Sequence, residues 1–173
     1  MADDRGDIIE IINLYGLAMD SQRWDLFDRI FTEDCDADYG PTSHWTDRAR
    51  FKVDFGGFHE HFDATQHVMT NHLVTLDGYR ANSLTYGMWR LIRHAAAGNH
   101  PAGPLWDGSG WYDDEWVRTG SGWRIAKRIC KVIWATGNPG VQELFEGVKF
   151  ELVPASVREE GRTGRLSYLK EIS

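Results

Sequence analysis

Cysteine is scarce in this chain: only Cys35 and Cys130 occur in 173 residues. They lie far apart, without zinc-motif spacing or the density of a disulfide scaffold, and are read as buried thiols acting as small apolar side chains. Basic charge is also short, with 19 Lys and Arg against 26 Asp and Glu. Nucleic acid and anionic membrane both require a basic stripe, and none is present, which argues against either as a main partner. No apolar run approaches the roughly 20 residues of a spanning helix, and the opening Met-Ala-Asp-Asp-Arg lacks the apolar segment of a signal peptide. The expectation is a soluble cytoplasmic protein. Without an internal repeat or linker, residues 1–173 read as one domain, which buries roughly two thirds of its unfolded surface.

Aromatic residues are plentiful instead: eight Trp, eight Phe and six Tyr. An aromatic-lined pocket is one use for such an excess. Ile8, Ile9, Ile11, Ile12, Tyr15, Leu17 and Met19 recur at helical spacing and predict a helix from about Asp4 to Asp20. A shorter helix is expected over Trp24 to Phe31, then a strand from Asp34 to Tyr39 that turns out at Gly40-Pro41. Phe51, Phe55, Phe58 and Phe62 mark a third helix capped by Thr46 or Asp47 and weakened at Gly56-Gly57. His59 and His61, on a polar stretch of it, read as solvated.

From Gln66 the period changes to two. A strand to Leu76, a tight Asp77-Gly78 turn and a partner strand from Arg80 to Ala95 form the strongest hairpin signal. Strict alternation puts His67, Met69, Asn71, Leu73 and Thr75 on one face and His72 on the other. That separation, with no spaced carboxylate triad, argues against a histidine metal site. Gly98 to Gly110 reads as a loop. Strands over Trp111 to Arg118 and Trp123 to Trp134 then pair across Thr119-Gly120-Ser121-Gly122. Helices followed by an antiparallel meander make an α+β order. Residues 137–173 are a C-terminal extension containing a strand-like run, Val148 to Val153.

Three residues stand out chemically. Asp20 closes an apolar helix, Tyr39 ends a strand and His67 opens one. An acid, a phenol and an imidazole in one apolar cavity make a proton-transfer site that requires no metal and no cofactor. Each also has a structural reading: a helix end, a core aromatic and a satisfied histidine.

Asp20-Ser21-Gln22-Arg23-Trp24-Asp25, Asp38-Tyr39 and Thr65-Gln66-His67 resemble the matching segments of scytalone dehydratase. His67-Val68-Met69-Thr70-Asn71 is also similar to hexachlorocyclohexane dehydrochlorinase and polyketide cyclases of the nuclear transport factor 2-like superfamily. The resemblance spans roughly Asp4 to Trp134. It implies a cone-shaped, curved antiparallel sheet with N-terminal helices enclosing one pocket. Residue by residue, it implies an Asp20–His67 dyad and a carbonyl-holding Tyr39. Where that enzyme has a second tyrosine before its aspartate, this chain has Met19, with Tyr15 one turn earlier. Its second histidine aligns with Arg93, and His94 is next. Met69 and Asn71, on the His67 face, complete the candidate substrate contacts, and Arg118 and Arg128 are further cations for an anionic or phenolic substrate.

The resemblance implies a cofactor-independent lyase of dehydratase type. It would eliminate water or a similar group beside a carbonyl or phenol on a small apolar or aromatic substrate. An isomerase or cyclase on a polycyclic substrate would use the same dyad, and a binding module would leave it unused. Surplus Trp and an exposed sheet back suit a homodimer or homotrimer. The C-terminal extension would cover the pocket or a subunit interface.

Overall fold

A computed structural model describes residues 3–142 and 153–171. Helix α1 spans Asp4–Asp20. Its cap is Asp3, whose side chain accepts from Gly6 N, and Asp4 and Asp7 in the first turn complement the helix dipole. A 3₁₀ turn over Trp24–Leu26 leads into α2, Phe27–Ile30, and directly into strand β1, Phe31–Asp38. Phe31 thus begins the strand rather than ending the helix. Tyr39 lies one residue beyond β1, where its N–H bonds Ser43 O as the chain turns back into β2, His44–Trp45. Helix α3, Arg48–His59, is capped by Asp47.

Strands β3, Ala64–Asp77, and β4, Arg80–Ile92, form a hairpin whose two-residue loop is Gly78-Tyr79, one position later than expected. Gly78 has φ 58°, which a residue without Cβ adopts freely. Strands β5, Leu105–Thr119, and β6, Gly122–Gly137, form the second hairpin. Half of the stretch expected to be loop is therefore strand. Gly108 and Gly110 are there for close approach: a Cβ on Gly108 would meet the Trp89 ring at 2.2 Å, and one on Gly110 would meet Lys131 O at 1.9 Å. The six strands lie in the order β2-β1-β6-β5-β4-β3, antiparallel except for β1 against β6. The sheet is curved and unclosed.

The inner side of the sheet carries the main core. Ile8, Ile12 and Tyr15 of α1, Phe27 and Ile30 of α2 and Phe51 and Phe55 of α3 bury their side chains there with Tyr112 and Trp116. Gly16 sits against β3, so that Met69 Cγ would lie 3.3 Å from a Cβ there.

The alternation expected along β3 breaks at a bulge between Thr70 and Leu73, where Asn71 takes φ 53°. One extra residue exchanges the two faces. Beyond it the inner positions are even-numbered: Val74 is buried, and His72 Nδ1 lies 3.3 Å from the buried Thr85 hydroxyl. His67 and His72 therefore share a face, contrary to the strict alternation.

On the outer side, Leu84 and Trp111 are covered by Leu166 from the C-terminal segment. That segment contains α4, Val157–Arg162, and α5, Ser167–Glu171, and Ser167 N–H bonds Asp113 Oδ2. Among the described residues of the extension, Gln142 lines the pocket beside the 3₁₀ turn at Pro139–Val141, Val153 to Ser156 with Glu159 and Glu160 line a second cavity that shares Tyr39, Cys130 and Val132 with it, and Leu166 and Tyr168 pack on the sheet back. Most of the expected strand-like run, Val148 to Leu152, lies outside the described residues. Trp111, Trp116 and Trp123 are each at most 2% exposed, so the late-strand tryptophans serve this chain's own packing; Trp134 is 42% exposed. No helix of the described residues is long and apolar enough to cross a membrane.

Candidate active site

Asp20 closes α1, where a carboxylate opposes the helix dipole and has no capping use. Its partners explain the placement. Asp20 Oδ1 accepts from His67 Nδ1 at 2.7 Å and from Thr65 Oγ1 at 3.0 Å, while Oδ2 accepts from His67 N–H at 2.9 Å. Partial burial pushes the Asp20 carboxyl up, but the bonds from the His67 ring and backbone more than offset it, so its pKa lies below the ordinary value. A carboxylate only accepts, so Nδ1 of His67 carries the hydrogen, and Nε2 is the nitrogen that exchanges a proton with a ligand. The His67 side chain is 8% exposed and lines a cavity of about 90 Å³.

The walls of that cavity are mostly apolar and aromatic: Met19, Phe55, Phe58, Trp89, Leu91 and Val132. Tyr15 and Tyr39 line it and are joined hydroxyl to hydroxyl at 2.9 Å. Tyr112 completes the phenol group, with its ring 5.6 Å from Tyr15 and 6.4 Å from Tyr39. Burial pushes Tyr15 up to about 12, partly opposed by the nearby Arg128 charge, and pushes Tyr39 and Tyr112 well above the ordinary phenol value. All three are neutral hydrogen-bond donors at physiological pH.

His59 is the main correction to the sequence reading. It is 2% exposed and lines the cavity, its ring 6.4 Å from that of His67. Burial lowers its pKa to about 3, so it is neutral. Its Nδ1–H donates to Phe55 O at 2.7 Å, which leaves Nε2 as an acceptor. The signal was in the spacing: Phe51, Phe55 and His59 are four apart and share the buried stripe of α3. Gln22, held at φ 51° just past α1, donates to His59 O at 2.9 Å and ties the ends of α1 and α3 together.

Five expected contacts lie elsewhere. Met69 is half-buried between β3 and α1 rather than in the cavity wall. Asn71 is exposed on the bulge. Strand β4 ends at Ile92, so neither residue after it reaches inward: Arg93 Nη1 donates to Gly140 O at 3.2 Å, and His94 N–H donates to Asp63 Oδ2 at 2.6 Å. Arg118 pairs with Asp4 at 3.0 Å, away from the cavity. Asp20, His67, Tyr39, Tyr15 and Met19 are brought together. Tyr112, Trp89, His59 and Gln142 join them unforeseen.

A curved, unclosed sheet covered by N-terminal helices is the fold of nuclear transport factor 2-like proteins. The chain belongs to the SnoaL-like domain family, which matches residues 1–129. An uncharacterised protein of Mycobacterium tuberculosis is 32% identical over 127 residues, covering 73% of this chain and 83% of that one. A protein from Kribbella flavida has a similar structure, with a TM-score of 0.74 and 26% identity over 80% of this chain and 96% of its own. A protein of Novosphingobium aromaticivorans provisionally named scytalone dehydratase gives a TM-score of 0.67 at 19% identity, over 86% of this chain and 92% of its own; that likeness is one of fold.

Proposed function

We propose that the pocket carries out cofactor-independent elimination of water, or of a similar leaving group, next to a carbonyl or phenol on a small cyclic substrate. The observation that carries this reading is the two-point grip of Asp20 on His67 at 2.7 and 2.9 Å, beside a cavity walled by neutral phenols. Dehydratases, dehydrochlorinases and cyclases occur on the same fold, which supports the class of chemistry without naming the reaction. A separation above about 4 Å, or a cavity filled by side chains, would have pointed to a binding module.

In the proposed reaction His67 Nε2 removes a proton from the carbon beside the carbonyl, and the electron pair moves into an enolate. Tyr39 donates to the developing oxyanion, with Tyr15 supporting it. Asp20 stabilises the imidazolium that forms. As the enolate collapses, the carbon–oxygen bond to the leaving hydroxyl breaks and Nε2 returns the proton, releasing water. Such proton transfer contributes about 10²–10⁴ in rate. Neutral His59, with no hydrogen-bond partner for Nε2 among the described residues, offers an acceptor for a substrate hydroxyl.

Cavity size favours a single ring over a polycyclic substrate. An enclosed space of roughly 150 Å³ takes a benzene ring. The 90 Å³ here admits one reactive ring edge, with the remainder at the mouth. A panel of hydroxylated cyclic ketones and phenols, followed by mass for loss of one water, tests the reading. His67→Ala abolishes the loss if the proposal holds, and Tyr39→Phe slows it by about 10²-fold or more. Turnover that survives in His67→Ala, or no dehydration across the panel, would overturn it.

A further inference from the structure

Beneath the tyrosine wall lies an ion pair that the elimination chemistry does not by itself require. Arg128 on β6 and Asp114 on β5 are both 0% exposed and joined by two parallel bonds, Nε to Oδ1 at 2.8 Å and Nη2 to Oδ2 at 2.7 Å. The guanidinium carbon lies 4.3 Å from the ring centres of both Tyr15 and Tyr112 and 5.4 Å from that of Phe31. Nη1 is buried and has no hydrogen-bond partner among the described residues. Stability is a weak reason to keep such a pair, because a well-packed apolar replacement of similar volume is often neutral or stabilising. The position of the charge points to another use.

Tyr15 and Tyr39 have two hydroxyl protons between them, and the single bond joining them uses one. Tyr112 also hydrogen-bonds Tyr15, so the three phenols together keep one proton for a ligand oxygen at the cavity wall. A fixed cation behind the rings makes that proton a better donor and favours negative charge on whatever accepts it. Arg128 is well placed to do this because its five N–H donors carry charge at any working pH, and Asp114 fixes the fork so that it cannot swing into the pocket.

The geometry points to Arg128 as a positioning residue that backs the Tyr15–Tyr39 pair electrostatically, and to a ligand that carries or develops a negative oxygen on a ring, a phenolate or ring enolate. This deepens the elimination reading, since such an oxygen is the one that forms when His67 takes the proton. It goes further in assigning the site a ground-state preference for the anionic form of a phenol.

Binding of para-nitrophenol tests this without turnover, because its anion is coloured and its neutral form is not. Bound to the wild-type chain, its ionisation shifts down by about one unit, read as extra coloured anion at fixed pH. Asp114→Asn removes the compensating negative charge and increases that anion fraction. Arg128→Met combined with Asp114→Leu removes the field and returns the ligand to its solution value or above. A merely structural pair would move both variants in the same direction. His67→Ala keeps the coloured band, since the anion is held by the phenols and not by proton transfer to the imidazole. Failure of the wild-type chain to bind the anion, loss of the band in His67→Ala, or a double variant that binds the anion as well as wild type would overturn the inference. If the double variant does not fold, the opposite sign expected for Asp114→Asn carries the test. A positive result here with no dehydration in the substrate panel would sink the elimination reading and leave this inference standing.

Discussion

The Asp20 carboxylate holds His67 at two points, its ring Nδ1 at 2.7 Å and its backbone N–H at 2.9 Å. Ring orientation and strand position are thus fixed by one side chain at the end of α1. Asp20→Asn replaces the carboxylate with an amide that no longer stabilises an imidazolium and that can present N–H to Nδ1, favouring the wrong tautomer. The expected outcome is a fall in kcat of about 10²–10⁴ on any substrate found in the panel, with KM little changed. Nitrogen NMR of the imidazole gives the tautomer independently. An unchanged kcat would remove Asp20 from the mechanism.

His59 makes the fold sensitive to acid. Its folded pKa of about 3 lies below the ordinary 6.5 because burial disfavours the charged ring. Between those values the unfolded chain binds a proton that the folded chain refuses, so stability is full above pH 6.5 and falls as the pH drops toward 3. The contribution lost is on the order of 5 kcal/mol across that window. His59→Phe keeps an aromatic ring among Phe55, Phe58 and Phe62 and removes the titration. Urea midpoints measured from pH 7 to pH 4 should fall less steeply in the variant than in wild type.

Much of this architecture was visible in the sequence because it rests on local rules. Apolar spacing and flanking aspartates placed α1 at Asp4–Asp20, and turn residues with alternation gave both long hairpins. The candidate dyad was legible through resemblance and not through pattern, since nothing in periodicity joins residues 47 positions apart. What escaped was set by single-residue irregularities. The bulge at Asn71 reversed the faces of β3 and put His72 on the His67 side. A second bulge, between Glu115 and Trp116, does the same for the ion pair: counting back from Thr119↔Gly122 without it would set Asp114 opposite Lys127 instead of Arg128. His59 was misread for another reason, the polar neighbours Glu60 and His61 masking a position on the phenylalanine stripe.

Two glycines predict opposite outcomes for the same substitution. Gly57 lies inside α3 with nothing within 4 Å of an added Cβ, so Gly57→Ala gains helix propensity and raises stability by about 0.5–1 kcal/mol. At Gly110 the added carbon would lie 1.9 Å from Lys131 O, backbone that cannot rotate away, beside a bulge in the central hairpin. Gly110→Ala should lower stability by about 3 kcal/mol or more, or prevent folding. Urea unfolding of both variants decides the matter, and equal effects would contradict the close approach of β5 and β6.

Leu166 is 1% exposed and joins the C-terminal segment to Leu84 and Trp111 on the outer face of the sheet. Leu166→Ala removes apolar surface at the centre of that contact, which in a rigid core costs about 2–5 kcal/mol. Here the loss is capped by the docking energy of the segment, because residues 157–171 can detach without opening the inner core. The predicted result is a modest drop in global stability with a large local effect: amide exchange in 157–171 speeds up several-fold more than in β4 and β5, and Trp111 fluorescence moves to the red. The cavity lies on the other side of the sheet, so para-nitrophenol binding should be unchanged. A variant that loses ligand binding together with docking would show that the C-terminal segment supports the pocket through the sheet.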